Sequence, residues 1–386
     1  MRKRLLLTFA AAACACLALA FGGHSASAQD SETSAKTSPI KIGLMGPVTG
    51  QWASEGQDML NVVIILAEEL NAAGGIGDRK VEIVVGDDGG SPKTAALAAQ
   101  RLISEGVVAV VGTYGSSVTA AAQDIYDEAS VVQVATGSTS IALSEKGLKL
   151  FFRTCPRDDE QGRFLAASVK NLGFTKAAIV HDNTSYAKGL ADEARGIFKD
   201  SGIAEVFYDA ITPGDRDYTA TLTKIRATEP DVIVFTGYYP EAGLLLRQKK
   251  EMNWDVPMIG GDATNNVVLV EAAGAEAAQG YYFVSPPGPA DIKGDKARKL
   301  LDTYRSRHTE LPSSVWSVLA GDAFGVIVEA LKSGAADGPA IGEYLHNGLK
   351  GYEGFTGPIS FNEKGDRIGD VYSLYQVDEQ GKFVLK

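Results

Sequence analysis

Apolar and polar positions along the chain follow two periods. Short, nearly unbroken apolar runs read as strands buried in parallel sheets. They recur at 41–46, 81–85, 107–111, 131–135, 177–181, 205–209, 231–235, 258–259 and 279–285. Between them lie segments with apolar positions at helical spacing, at 57–71, 94–105, 116–129, 164–172, 187–199, 218–227 and 242–250. The first of these helices stops at Gly74 and Gly75 and the 218–227 helix at Pro230, both ordinary stop signals. Strands alternating with helices predict βαβ units, parallel sheets and right-handed crossovers that cover both sheet faces. Two such runs, 40–154 and 157–285, predict an α/β protein of two doubly wound lobes. After Pro286 the rhythm changes to long helices at 295–307 and 315–331, a short one at 341–345, and strands at 357–361 and 372–377. These late elements are expected to cover the first lobe and pair at a lobe edge.

Residues 1–28 stand outside this pattern. Arg2, Lys3 and Arg4 precede an apolar run over 5–21, and Ala26-Ser27-Ala28 is a small-residue cleavage site. Together they predict a cleaved secretory signal peptide. Cys14 and Cys16 suggest a lipoprotein, but neither has a leucine-like residue three positions upstream. Residues 29–39 read as a mobile polar leader. The chain carries 37 Lys and Arg against 48 Asp and Glu, a net charge of −11. Losing the basic leader makes it more negative, which excludes a nucleic-acid-binding face. Beyond the leader only Cys155 remains, so no internal disulfide is expected. In 386 residues the core must carry stability alone, as two domains. No later stretch reads as a membrane span, so any sensing role is expected to act in trans.

The candidate chemistry lies in the turns that follow strands, where doubly wound sheets bind ligands. The 107–111 run opens through Gly112 and Gly115 onto Ser116, Ser117 and Thr119 at the start of an alanine-rich helix. Free N–H groups and the positive helix end there suit a carboxylate or phosphate. The same residues also fit a plain β–α turn with a serine cap. The hydroxyl-rich turn over 136–140 is a second such place. The first lobe thus offers Tyr114, Ser116, Gly137 and Thr139 as neighbours of an anion, while the second offers Tyr186, Tyr238 and Asp262. Backbone N–H groups with the Ser116 and Thr139 hydroxyls would hold a ligand carboxylate, and Asp262 a ligand ammonium. The tyrosines would wall the site, and a ring face also supports a cation. A molecule carrying both charges is an α-amino acid. Each residue has a plainer reading: Ser116 as a cap, Tyr238 as a core ring, Asp262 as an N-cap.

The chain also resembles the branched-chain amino acid type of periplasmic solute-binding protein, which serves ABC importers. The resemblance rests on Ile42-Gly-Leu-Met-Gly-Pro-Val-Thr-Gly50, Asn71-Ala-Ala-Gly-Gly-Ile76, Asp87-Asp88 with Pro92-Lys93, and Asp124-Ile-Tyr126. It continues through His181-Asp182, Tyr186, Gly189-Leu190, Gly237-Tyr-Tyr-Pro-Glu241, Leu246-Arg-Gln248, Gly357-Pro358 and Asn362-Glu-Lys-Gly-Asp366. It implies two lobes joined by three crossings, near 154–157, 285–287 and 369–371, with a ligand enclosed on closure. The implied lobes are 40–155 with 286–369, and 156–285 with 370–386. The resemblance places the ligand carboxylate and amino group at Ser116, Gly137, Ser138 and Thr139, and adds Tyr186, Tyr238 and Asp262 from the second lobe. Tyr114, Gly115, Glu55 and Ser314 are expected around them. The partner implied is a membrane permease, the location periplasmic, and the oligomeric state a monomer, since both lobes must be presented.

The chain departs from that family pattern in places. The leucine-type binders carry a disulfide at positions that correspond to Gly90 and Gly115. Gly115 is expected to leave extra room beside Ser116. Asp262 stands where glutamate is common. Glu55 and Ser314 stand where apolar or aromatic groups would suit a branched aliphatic ligand, so a polar, larger or aromatic amino acid fits as well, as does another small carboxylate.

Enzymatic readings find little support. No G-x-S-x-G elbow, H-E-x-x-H motif or Walker loop occurs, and no cofactor is implied. Asp87 and Asp88 read as a solvated turn rather than a metal site. A secreted hydrolase would have to use His181 beside Asp182, which otherwise reads as a turn residue.

Overall fold

The computed structural model describes residues 38–369 and 372–386. The signal peptide, most of the leader, and Asp370 and Val371 of the third expected crossing lie outside the described residues.

The first sheet holds β1 (Ile40–Gly46), β2 (Val81–Asp87), β3 (Ala109–Val111), β4 (Val132–Ala135) and β5 (Phe151–Arg153). All pair in parallel, in the order β2-β1-β3-β4-β5. The chain runs from β1 outward to β2, then crosses back to the other side of β1 as β3. This reversal opens a crevice beyond the ends of β1 and β3, as doubly wound sheets do at their switch point. Helix α1 (Ala53–Ala72) follows β1, α2 (Pro92–Ser104) follows β2, α3 (Ser116–Glu128) follows β3, and the short α4 (Ile141–Glu145) follows β4.

The second sheet repeats the plan. It contains β6 (Lys176–His181), β7 (Ala204–Ala210), β8 (Val232–Phe235), β9 (Met258–Gly260), β10 (Tyr282–Ser285), β13 (Ser373–Val377) and β14 (Phe383–Leu385). Its order is β14-β13-β10-β9-β8-β6-β7, with β13 and β14 antiparallel. Its switch point lies between β6 and β8. The turns there lead into α6 (Ser185–Ser201) and α8 (Tyr239–Glu251), with α7 (Thr219–Arg226) between β7 and β8. The chain enters this sheet through α5 (Asp158–Asn171) and leaves it after β10. The short helices α9 (Val268–Ala273) and α10 (Ala275–Ala278) lie between β9 and β10, and after β10 the chain adds α11 (Asp295–His308) and the largely buried α12 (Trp316–Lys332) to the first lobe. Helix α12 packs against α1, where Gly321 brings the two helices close enough that a Cβ there would lie 3.1 Å from Val62.

Several boundaries differ from the sequence expectation for identifiable reasons. Helix α1 begins at Ala53, not 57, because its polar first turn is buried rather than solvated. Helix α8 begins at Tyr239 because Pro240 fits a first helical turn. Helix α5 begins at Asp158 because three acids occupy its first turn. The expected strand at 357–361 shortens to β12 (Gly357–Ile359) and forms a separate hairpin with β11 (Tyr352–Gly354) instead of joining a lobe edge. The 372–377 strand does pair at an edge, against β10. Strand β5 escaped the reading because it ends in a charged residue.

That residue, Arg153, has no exposed surface. Its Nε donates to Asp366 Oδ1 at 2.6 Å, and one terminal nitrogen donates to the Ser138 and Ser140 carbonyls at 2.9 Å each. The other donates to Ser144 Oγ at 2.7 Å. Arg157 reaches the second Asp366 oxygen at 2.9 Å. Removing one partner of a buried pair leaves an uncompensated charge, worth about 3–5 kcal/mol. Asp366→Ala is therefore expected to lower stability by about that amount, read as a lower urea midpoint with an unchanged slope.

Candidate functional site

On the first-lobe side the two hydroxyl-rich turns are tied together. Thr119 Oγ1 lies 2.5 Å from Thr113 Oγ1 and 2.6 Å from Ser138 Oγ. The Ser138 hydroxyl also lies within bonding distance of the Thr113 and Tyr114 carbonyls, so it is spent on structure. Ser116 Oγ accepts the Ser140 N–H at 3.2 Å, which leaves its own hydrogen to donate elsewhere. Because Arg153 holds the Ser138 carbonyl from behind, the trans peptide aims the Thr139 N–H the opposite way. Gly137 packs on the Tyr114 ring, where a Cβ would lie 2.6 Å from Cδ2.

On the second-lobe side Thr184 caps α6 by accepting the Ala187 N–H, which places Tyr186 in the first turn. Asp262 opens a single 3₁₀ turn after β9. Its Oδ1 accepts from Tyr186 OH at 2.9 Å and its Oδ2 from Tyr372 OH at 3.0 Å. Its N–H donates to Gln161 Oε1 at 2.9 Å, and Gln161 Nε2 donates to Asp158 Oδ1 at 3.0 Å. Asp158 Oδ2 is buried without a hydrogen-bond partner, and Thr139 Oγ1 faces Asp158 without completing one. Burial pushes the Asp262 carboxyl up to about 7. Burial, and then the charge of Asp262, hold Asp158 well above the usual carboxylate range. Among the described residues neither acid has a cation within ion-pairing distance. Two buried carboxylates supported only by neutral donors suit a cation with several N–H groups, such as an ammonium.

Aromatic rings fill the space between these two sides. Trp52 stacks on Tyr238 across the cleft at 4.1 Å and meets Tyr114 edge-on at 5.5 Å. Tyr238 in turn meets Tyr114 at 5.8 Å and Tyr186 at 5.3 Å. A Cβ on Gly90 or Gly115 would lie 2.8 or 2.9 Å from the Trp52 ring. The expectation that Gly115 leaves room beside Ser116 is therefore corrected: the indole takes up that space. Nearby, Asn266 reaches from the second lobe to Glu55 Oε1 at 2.6 Å, while Ser314 Oγ donates to Glu55 Oε2. Ser54 and Tyr239 add a further bond across the cleft at 3.0 Å.

The structure thus gathers Tyr114, Gly115, Ser116, Gly137, Ser138, Thr139, Tyr186, Tyr238 and Asp262 around one cleft, with Glu55 and Ser314 beside it. Sequence reasoning missed Trp52, Asp158, Gln161, Asn266 and Tyr372. Trp52 was within reach, because it follows β1 at a switch point just as Tyr114 follows β3. His181 is a turn residue: its Nδ1 accepts the Asn183 N–H at 3.1 Å, and burial lowers its pKa. Cys155 is buried and its thiol is pushed up to about 12, so it is inert. Asp87 accepts from Thr49 and Gly89 and is likewise a turn residue.

Two doubly wound lobes that close strand-end crevices on one another define a bilobed solute-binding protein of the type I class. The chain belongs to the periplasmic binding protein family, whose model matches residues 39–382. It is a substrate-binding protein rather than an enzyme, and membership implies a periplasmic location. It is 36% identical over 352 residues to the Leu/Ile/Val-binding protein BraC3 of Rhizobium johnstonii, covering 89% of this chain and 93% of that one. The crystal structure of the leucine-binding protein LivK of Thermotoga maritima matches with a TM-score of 0.84 at 28% identity, over 90% of this chain and 97% of that one. LivJ of Streptococcus pneumoniae, solved with isoleucine, matches with a TM-score of 0.83 at 31% identity, over 90% of this chain and all of that one.

The buried acids set a pH dependence. A carboxyl raised in the folded state contributes stability that is full below its unfolded pKa of about 4 and is lost as pH rises through its folded value. For Asp262 and Glu55 that loss runs up to about 7 and about 8. Ligand-free protein is therefore expected to melt lower as pH rises across this window. Asp262→Asn cannot ionise and should lose less over the same range. Melting curves of both proteins at stepped pH check this, and parallel slopes would exclude it.

Proposed function

We propose that the protein captures a free α-amino acid between its two lobes in the periplasm and delivers it to the permease of an ABC importer. In this reading residues 1–28 are the cleaved export signal, and the mature chain acts as a monomer. Lobe 1 comprises 40–155 and 286–369, and lobe 2 comprises 156–285 and 370–386. Ser116, Gly137 and Thr139 receive the ligand carboxylate, with Ser138 holding their turn. Asp262, supported by Tyr186, receives the ammonium, and Tyr238 walls the site with Trp52.

One observation carries the reading. A turn that offers N–H and hydroxyl donors faces two buried carboxylates without a cation, so the cleft suits a ligand bearing both charges. The names of the relatives support it, since those proteins bind leucine, isoleucine or valine. Closure is hinge bending, with the closed state selected by a ligand that touches both lobes.

A thermal-shift screen of unfolded and refolded protein against the proteinogenic amino acids tests the class. A ligand at a hundred times its Kd should add about 2.7 kcal/mol of stability. A shift with α-amino acids is expected; a shift only with simple carboxylates would remove Asp262 as the ammonium partner. Ser116→Ala is expected to weaken binding about tenfold, the loss of one charge-assisted hydrogen bond. Calorimetric titration checks this, and equal affinity would remove the Ser116 assignment.

A further inference from the structure

A third buried carboxylate borders the cleft, and the amino-acid backbone of a ligand does not use it. Glu55 lies in the first turn of α1, three residues after Trp52, and has no exposed surface. Each of its oxygens accepts one neutral donor, Asn266 Nδ2 on Oε1 and Ser314 Oγ on Oε2. A carboxylate accepts about four hydrogen bonds, so roughly half of its capacity remains. Among the described residues no cation pairs with it. Asp58, one helical turn away, adds to the negative potential at Glu55.

A second observation points the same way. Tyr114 OH is buried without a hydrogen-bond partner. It lies within the fields of both Glu55 and Asp262. Trp316 Nε1 is also buried without a partner, and its ring lies 6.1 Å from that of Tyr114. A cavity of about 340 Å³ that reaches Ser54, the chain neighbour of Glu55, is also lined by Asp58, Ser313 and Glu310, with His308 its only basic side chain. The cleft therefore buries Asp262, Asp158 and Glu55 beside a cluster of aromatic rings, with no ion-pair partner for any of them among the described residues. An aliphatic side chain placed against Glu55 would leave its remaining acceptor capacity unmet.

We infer that Glu55 is a specificity-determining residue that receives a cationic group on the ligand side chain, so that the protein selects a basic amino acid. The inference rests on the amino-acid reading above. The ligand's α-ammonium meets Asp262, its side chain runs along Trp52 and Tyr238, and its terminal ammonium or guanidinium meets Glu55. The stacked indole and phenol rings add a cation-attracting face along the way.

Calorimetric titrations of the refolded protein with L-arginine, L-lysine, L-ornithine, L-glutamine and L-leucine test it. At least one basic amino acid should bind about tenfold to a hundredfold tighter than leucine and glutamine. Glu55→Gln keeps the shape of the side chain while removing its charge. It should erase that preference, lowering affinity for the basic amino acid by at least tenfold more than affinity for leucine or glutamine. Tightest binding of leucine or glutamine, or an equal loss for all ligands in Glu55→Gln, would overturn the assignment of Glu55 and leave the amino-acid reading standing. Absence of binding by every amino acid would overturn both. Asp262→Asn, expected to lose all five ligands together, separates the backbone site from the side-chain site.

Discussion

A guanidinium without exposed surface must be surrounded by acceptors, and Arg153 meets that requirement in a way that shapes the whole first lobe. It ends the last strand of the first sheet, yet its partners come from the preceding segment, at Ser138, Ser140 and Ser144, and from Asp366, more than two hundred residues later. The pair therefore ties the late segment of the chain to the first sheet. It also holds two carbonyls of the 137–140 turn from behind. Peptide planarity then decides which way the neighbouring N–H groups point. The donor-lined side of the cleft is thus the front of a turn whose back is anchored by a buried charge.

The buried acids around the cleft use charge differently. Asp262, Asp158 and Glu55 are buried with neutral donors and no cation among the described residues. Such an arrangement is unfavourable for the protein alone, because burial penalises the ionised form of each acid. It becomes favourable when a cation arrives, since the attraction acts where water no longer screens it. Instability of the ligand-free cleft and affinity for a charged ligand then have one physical origin.

Trp52 connects this electrostatic scheme to the packing. Its indole leans on Gly90 and Gly115, two positions where a side chain would collide with it, and stacks across the cleft on Tyr238. The resemblance assigns those two glycine positions to a disulfide in leucine-type binders. Here the space is taken by an aromatic ring that bridges the lobes. The compensation is steric, and it sits directly beside the proposed side-chain site.

The two-period pattern of apolar residues carried most of the architecture. Strands buried on both faces and helices buried on one face differ in period for geometric reasons, so both lobes were legible. The strand-end turns were legible too, because doubly wound sheets place crevices there. Ser116, Thr139, Tyr186, Tyr238 and Asp262 could therefore be named from position and residue type. Local pattern failed where a polar residue is buried by distant parts of the chain. Arg153 hid a strand, and the polar first turn around Glu55 hid the start of a helix. Asp158, Gln161 and Tyr372 carry no local sign of their role, since each becomes part of the cleft only through contact with Asp262 or its neighbours. Sequence by itself determined the lobes, the turns and the chemical classes on each wall. Only the tertiary structure decided which acids lack a cation, because pairing and desolvation depend on what the rest of the chain brings within reach.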